Sequence, residues 1–399
     1  MSPRGDRIRL LLLDMITSKR DIDLDFMARL TSQDWAALQR MARQHRLEPL
    51  LHRNSKSHPS WPVPESIIDR WQRAFRKSAM RAMAWERVLS HVSGRLDAAG
   101  IPYAALKGAW LARFAYPYPA LRPLRDIDIL VPPEYAVKAF EILAGEGFAP
   151  RSLAEPPIGH ALAHGKHLPG LVSPGDKIGI EIHHRLFTDG HRALATQDVI
   201  SHRVFAGSTS RTVAYLDPTD TLLHLIVHAA YEHEFCNGPL VLTDVAYLLG
   251  KAEVAWDRFW AEAARGGWEE GCNLLLRAVE CYHGTRIARP QSIKPVPGSL
   301  VETAVLLMLQ DHQRRGRVAL LSAFSTAKGV GAKLRLAARR AKPEPHALAG
   351  FGGGKLAWTA YPHWMTSRLR QMLAALADTG ARADIGRARI VKNWLGTRA

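Results

Sequence analysis

Apolar residues return at helical intervals through the first hundred positions of this chain. Trp35, Leu38, Met41 and Ala42 share one face, and Ser32, three residues before Trp35, is a suitable N-cap. A break rich in Pro and Ser follows, from Ser57 to Pro64. A second periodic run then extends to Ala99 through Ile67, Trp71, Phe75, Met80, Met83, Val88, Leu89, Val92 and Leu96. This predicts one long helix, a scaffold or lid, ended by Gly100 as a C′ glycine.

The period then shortens. Tyr103–Leu106 predicts a strand, Ala109–Phe114 a short helix, and Asp126–Val131 a second strand. A helix over Glu134–Glu146 starts behind Pro132-Pro133, a strand begins at Phe148, and Ile178–Leu186 predicts the closing strand. Between them, Ala154–Pro174 is rich in Pro, Gly and His and reads as a mobile loop over the site. Its His160, His164 and His167 lack the neighbouring acids or cysteines of a metal set. Helical spacing resumes over Pro218–Tyr231, with Asp217 as its cap, and again over Val301–Leu309. Gly350–Gly354 reads as a hinge before Trp358, Tyr361, Trp364 and an amphipathic segment, Met365–Leu376. The division expected is 1–99 helical, 100–205 α/β, 206–300 helical and 301–399 basic and helical.

The second strand carries candidate chemistry. Side chains alternate along a strand, so Asp126 and Asp128 project from one face, about 7 Å apart. Two such carboxylates repel, and a divalent cation is a common solution, because Mg²⁺ prefers oxygen ligands. A third acid is then expected on a neighbouring strand. In Ile178-Gly179-Ile180-Glu181-Ile182-His183, the isoleucines form one face and Glu181 and His183 the other. Lys107-Gly108 sits where a strand hands over to a helix, and glycine there lets backbone approach a phosphate. Asp-X-Asp alone is a weak signal. Lys107 also reads as an ordinary surface lysine. Arg122 and Arg125 also read as structural partners of the two aspartates, and His183 as a satisfied core histidine. His184 faces the other way and reads as structural.

Taken together, Leu106-Lys107-Gly108, Arg122, Asp126-Ile127-Asp128-Ile129-Leu130-Val131 and Glu181-Ile182-His183 resemble a bacterial family described only as uncharacterised nucleotidyltransferases, within the polymerase-β-type superfamily. The resemblance covers residues 25–290. It departs from the wider superfamily, which has Gly-Ser where this chain has Lys107-Gly108. It implies an α+β fold with an α/β core: a small mixed-sheet palm flanked by N- and C-terminal helical regions. It implies Asp126, Asp128 and Glu181 as ligands of Mg²⁺ or Mn²⁺, with His183 or Glu181 as proton acceptor. Lys107, Gly108, Arg122 and Arg125 would surround the phosphates of an NTP, with ATP the expected one. It also implies that the helix carrying His228 and a Leu242-Thr243-Asp244 helix pack on the sheet. His228 and Asp244 would then form a helix-to-helix hydrogen bond or a substrate contact.

Charge adds one feature. Of the net +17, residues 311–399 hold +13, with 17 Lys or Arg against 4 Asp or Glu. Such a block implies an anionic partner, whether RNA, a lipid surface or an acidic peptide. Cys236, Cys272 and Cys281 have neither zinc-site nor disulfide spacing, so a cytoplasmic setting is expected. No run is long and apolar enough to span a membrane, and Asp14 interrupts the only apolar run near the N-terminus. The expected function is metal-dependent transfer of a nucleoside monophosphate to an acceptor, with release of pyrophosphate. The family's occurrence in natural-product and polysaccharide pathways implies a small molecule or modified peptide as acceptor. The alternative is a non-catalytic nucleotide- or RNA-binding protein that keeps the fold.

Overall fold

The computed structural model describes residues 3–17, 21–152, 155–188, 194–208, 211–312 and 379–396, with scattered positions between the last two stretches. The Gly350–Gly354 hinge, Trp358, Trp364 and most of the Arg335–Lys342 run lie outside the described residues.

Helices α1 (Pro3–Ile16), α2 (Leu24–Ala28), α3 (Ser32–Gln44), α4 (Glu48–Ser57) and α5 (Glu65–Ala98) open the chain. The cap of α3 is Thr31 and not Ser32. Thr31 Oγ1 accepts from Asp34 N–H, and Asp34 Oδ2 accepts from Thr31 N–H at 2.9 Å. A cap at Ser32 would put Trp35 at the third helical position, where no side chain can return the bond. Gly100, at φ +66°, follows the last residues of α5, as expected of a C′ glycine. The apolar stripe of α5 is interrupted. Ile67 and Trp71 are buried at one end, and Trp85, Val88, Leu89, Val92 and Leu96 at the other. Between them nothing is buried, and Met80 and Met83 are 74% and 71% exposed. The middle of α5 is a bare span between the N-terminal helices and the sheet.

The α/β part contains β1 (Ala104–Ala105), α6 (Gly108–Trp110), β2 (Asp126–Leu130), α7 (Ala136–Gly145), β3 (Ala149–Pro150), α8 (Ile158–His164), β4 (Leu171–Val172), β5 (Gly179–His183), α9 (Thr196–Ser201), β6 (Val204–Ser208) and β7 (Arg211–Tyr215). The sheet order is β3-β4-β5-β2-β1-β7-β6. β2 runs parallel to β5 and β1 parallel to β7, while the other pairs are antiparallel. The sheet is therefore mixed, as the sequence predicts. Ile127, Ile129, Ile180 and Ile182 are buried, and α5 and α7 pack against the sheet. The segment expected as a mobile loop is instead built in. It carries α8 and β4, and Leu168 N–H donates to the Ile182 carbonyl at 2.8 Å.

Helices α10 (Pro218–Val227), α11 (Leu240–Leu249), α12 (Trp256–Gly266), α13 (Glu269–His283) and α14 (Gly298–Met308) follow, and α15 (Thr379–Leu395) packs on α14. Asp217 caps α10 through Thr219 N–H at 2.9 Å. Two helices expected to run on as α turn π at their ends, over Leu111–Ala115 and His228–Glu232. Such turns favour sites where side chains must be re-aimed. No described helix is long and apolar enough to cross a membrane.

Candidate active site

Because β2 and β5 pair in parallel, Asp128 stands directly across from Glu181, and Asp126 across from Gly179. Side chains at paired positions leave the sheet on one face. Gly179 leaves space beside Asp126, since a Cβ added there would lie 3.5 Å from the Asp126 Cβ. His183 follows Glu181 by two residues on the same face and is 1% exposed. Its Nε2 lies 3.2 Å from Asp128 Oδ1 and 3.7 Å from Glu181 Oε2. One donor atom each from Asp128, Glu181 and His183 falls within a 4.8 Å span, the set among the described residues best arranged to hold a metal ion. Asp126 stands beside this trio, at the start of β2.

Lys107 enters from the β1–α6 turn, with Nζ 3.8 Å from Asp128 Oδ2. Its backbone is at φ +43°, ψ −107°, a strained conformation for a residue with a Cβ. Gly108 behind it is required by packing. A Cβ there would come within 2.3 Å of both Arg122 Nη1 and Leu124 Cδ2.

The four ionisable groups shape one another. Burial, then the charges of Asp128 and Glu181, push the Asp126 carboxyl up to about 6 against the pull of Arg151 and Lys107. Burial would also raise Asp128, but Lys107 and His183 outweigh it and hold that carboxyl well below the usual range. Burial likewise opposes ionisation of Glu181, and the His183 imidazole overcomes it, bringing the carboxyl down to about 2. Burial disfavours charge on His183, yet Asp128 and Glu181 raise its pKa above the ordinary value. The site is thus an ionised Asp128–Glu181 pair clasping an imidazole, with a less acidic Asp126 at its edge.

Arg122 does not reach the aspartates of β2. Its Nε and Nη2 donate to Asp244 Oδ1 and Oδ2 at 3.0 and 2.8 Å, and Tyr116 donates to the same carboxylate at 2.7 Å. Asp244 is therefore not bonded to His228, contrary to the helix-to-helix hydrogen bond expected. The π turn re-aims His228 towards His233, with their Nε2 atoms 3.2 Å apart. Arg125 is exposed at the mouth of β2. His184 faces away, buried, with Nε2 3.3 Å from the Ala161 carbonyl.

Two residues at the site had no clear signal in the sequence. Arg151, just past β3, donates from Nη2 to Glu181 Oε1 at 2.7 Å and approaches Asp126 Oδ2 at 3.5 Å. Gly170 makes room for it, because a Cβ there would meet the guanidinium at 2.8 Å. His167 brings Nε2 to 3.8 Å from Glu181 Oε2. Its neighbouring acid is absent from the local sequence and arrives by strand pairing.

A sequence family described as "Uncharacterised nucleotidyltransferase" matches residues 31–284, more than half of the chain. The chain belongs to this family. It is accordingly a transferase enzyme, and the acid cluster lies inside the matched span. No curated protein matches this nucleotidyltransferase. The family gives the nucleotidyltransferase its general reaction. The sheet register brings Asp126, Asp128 and Glu181 to one face beside Lys107, while Arg122 is committed to Asp244.

Proposed function

We propose that this nucleotidyltransferase moves a nucleoside monophosphate from an NTP, with ATP the expected donor, to a small-molecule or peptide acceptor, releasing pyrophosphate. The observation that carries the reading is the register that sets Asp128 across from Glu181, with His183 between their carboxylates. The carboxylates of Asp126, Asp128 and Glu181 are hard oxygen donors of the kind that suit Mg²⁺ or Mn²⁺. The strain of Asp126, whose ionisation is opposed by burial and two neighbouring acids, supports the same fit: a further cation would relieve it. Asp126, Asp128 and Glu181 would hold the metal, which when bound supplies charge neutralisation at the reacting phosphate and lowers the pKa of a coordinated hydroxyl.

The chain's own groups do the rest. Lys107 is poised beside Asp128 to meet phosphate oxygens, on a turn whose strain fixes its direction. Arg125 is exposed and immediately precedes β2, which makes it the better phosphate candidate of the two expected arginines. Arg122 acts indirectly, by holding the segment before β2 onto α11 through Asp244. His183 is held between two carboxylates with Nε2 as the donor, so it orients and charge-balances Asp128 and Glu181. Arg151 supplies the counter-charge to Asp126 and Glu181 that a metal held there would share.

The test is incubation with each NTP and Mg²⁺, following pyrophosphate release and the mass of candidate acceptors. An acceptor heavier by one nucleotide, with both signals lost in Asp128→Ala, is the expected result. Equal turnover in Asp128→Ala would overturn the reading.

A further inference from the structure

A cavity of about 180 Å³ lies beneath the bare middle of α5, beside the start of β2. Cations converge on it from three separate parts of the chain. Arg43 comes from the last turn of α3 and Arg46 from the α3–α4 turn, Lys77 and Arg81 from successive turns of α5, and Arg122 from the segment before β2. Glu48 is the only acid in the wall. It accepts from Gln39, and burial raises its carboxyl above the ordinary value. The remaining wall is apolar, with the Trp85 indole, Leu124 and Pro49 among its residues.

Arg46 is the most buried of these cations that lacks a carboxylate partner. It sits at φ +60°, donates only to the Pro123 carbonyl at 3.2 Å, and buries an Nε that has no hydrogen-bond partner. Among the described residues no carboxylate pairs with it. Burial and the charges of Arg122 and Arg125 pull its pKa down to about 10, against the opposing pull of Asp244 and Asp126. A half-buried guanidinium with no paired carboxylate, beside like charges, is stabilised when an anion joins it.

The cavity also connects to the catalytic strand. Pro123 and Leu124 line it, and Asp126 follows about 7 Å further along the chain. Trp85 lines it as well, and its Nε1 donates to the Asp126 carbonyl at 3.4 Å. The space is smaller than the roughly 300–1,000 Å³ clefts that enclose a whole drug-sized ligand. It suits one end of a molecule whose remainder lies towards the acids.

We infer that this cavity seats the anionic end of the acceptor, an organic acid whose carboxylate or phosphate meets Arg46, Lys77 and Arg81 and whose flat apolar body lies on Trp85. The assignment of the ligand as acceptor rests on the nucleotidyl-transfer reading of the acid cluster. A nucleic-acid strand fits less well. It needs a groove that tracks successive phosphates, whereas these cations gather around one small cavity.

The dye 1-anilinonaphthalene-8-sulfonate, a flat apolar body with one anion, is a direct probe on the full-length protein. Wild type is expected to bind it saturably, with displacement by phenyl phosphate. The exposed Lys77→Glu, Arg81→Glu double variant should weaken binding at least tenfold. Arg73→Glu, Arg76→Glu makes the same charge change on α5 outside the cavity and should leave dye affinity within twofold. Mg·ATP affinity, by calorimetry, should match wild type in both. Equal dye binding in the Lys77–Arg81 variant, or displacement by single-stranded RNA but not by phenyl phosphate, would overturn the inference. Wild type that binds dye as expected but no Mg·ATP would remove the transfer reading, and the acceptor role with it, while leaving the anion site in place.

Discussion

Arg122 and Asp244 lie 122 positions apart and close on each other through two parallel hydrogen bonds, Nε to Oδ1 and Nη2 to Oδ2. Their side chains are 12% and 4% exposed, so this is a largely buried pair, and the Tyr116 hydroxyl adds a third bond. Removing one partner strands a charge, which costs about 3–5 kcal/mol, whereas replacing both with apolar residues often costs less. Asp244→Ala should therefore lose about 3–5 kcal/mol in urea unfolding. An Arg122→Met, Asp244→Leu double variant should lose less than that single change. A double variant as unstable as the sum of its singles would show that the pair is not one unit.

Asp126 yields a prediction with a defined pH sign. Its pKa rises from 3.8 to about 6 on folding, so between those values the folded state binds more protons than the unfolded one. Stability from this group is present below pH 3.8 and is lost as pH rises through about 6. The loss is about 3 kcal/mol at most, at about 1.4 kcal/mol per pKa unit. In EDTA, Asp126→Asn should melt higher than wild type at pH 8 and lose that advantage below pH 4. Added Mg²⁺ should raise the wild-type Tm more than that of the variant. An EDTA-treated variant that melts lower at pH 8 would mean that the contact with Arg151 outweighs the repulsion.

Lys107 separates backbone strain from side-chain chemistry. At φ +43°, glycine is comfortable and alanine is not. Lys107→Gly should therefore be more stable than Lys107→Ala by about 1 kcal/mol, although glycine carries the larger unfolded-state entropy. Both should raise the KM for NTP by a similar factor, since both lose the amine. Equal melting temperatures would show that the turn relaxes and stores no strain.

The acids were legible because a strand has a side-chain period of two. Asp126 and Asp128 had to share a face, and the alternation of Ile178, Ile180 and Ile182 put Glu181 opposite the core. Strands of two residues carry no such period. Arg151 reaches Glu181 through β3 and β4, each two residues long, so nothing near Arg151 in the sequence announces it. Arg122 and Asp244 were each visible, but their bond is a property of packing between distant segments. The α5 stripe misled for a different reason. Met80 and Met83 belong to the same apolar run but sit on the face of α5 opposite the buried Trp71, Trp85, Leu89 and Leu96, and so point to solvent.

The basic C-terminal region read as a block apart, yet its described helix is woven into the N-terminal one. Arg9 of α1 is 2% exposed and donates to Asp384 of α15 at 2.8 and 3.1 Å, while Asp384 is fully buried. The same Arg9 donates to the Leu306 carbonyl of α14 at 3.2 Å. Arg387 bridges Asp384 and Asp6, and Lys392 pairs with Glu234 at 3.0 Å. Part of the local positive charge is thus neutralised within the fold. Asp384→Ala leaves a buried guanidinium without its carboxylate and should cost about 3–5 kcal/mol. Removing residues 379–399 deletes that partner and also uncovers α14, so the truncated protein should lose its cooperative melting transition or aggregate. Trp394, whose Nε1 donates to the Glu270 carbonyl at 3.1 Å, provides a fluorescence readout of α15 docking in the intact chain. A truncated protein that melts cooperatively within a few degrees of wild type would show that α15 is dispensable, and the positive charge of this region would then be free to serve an anionic partner.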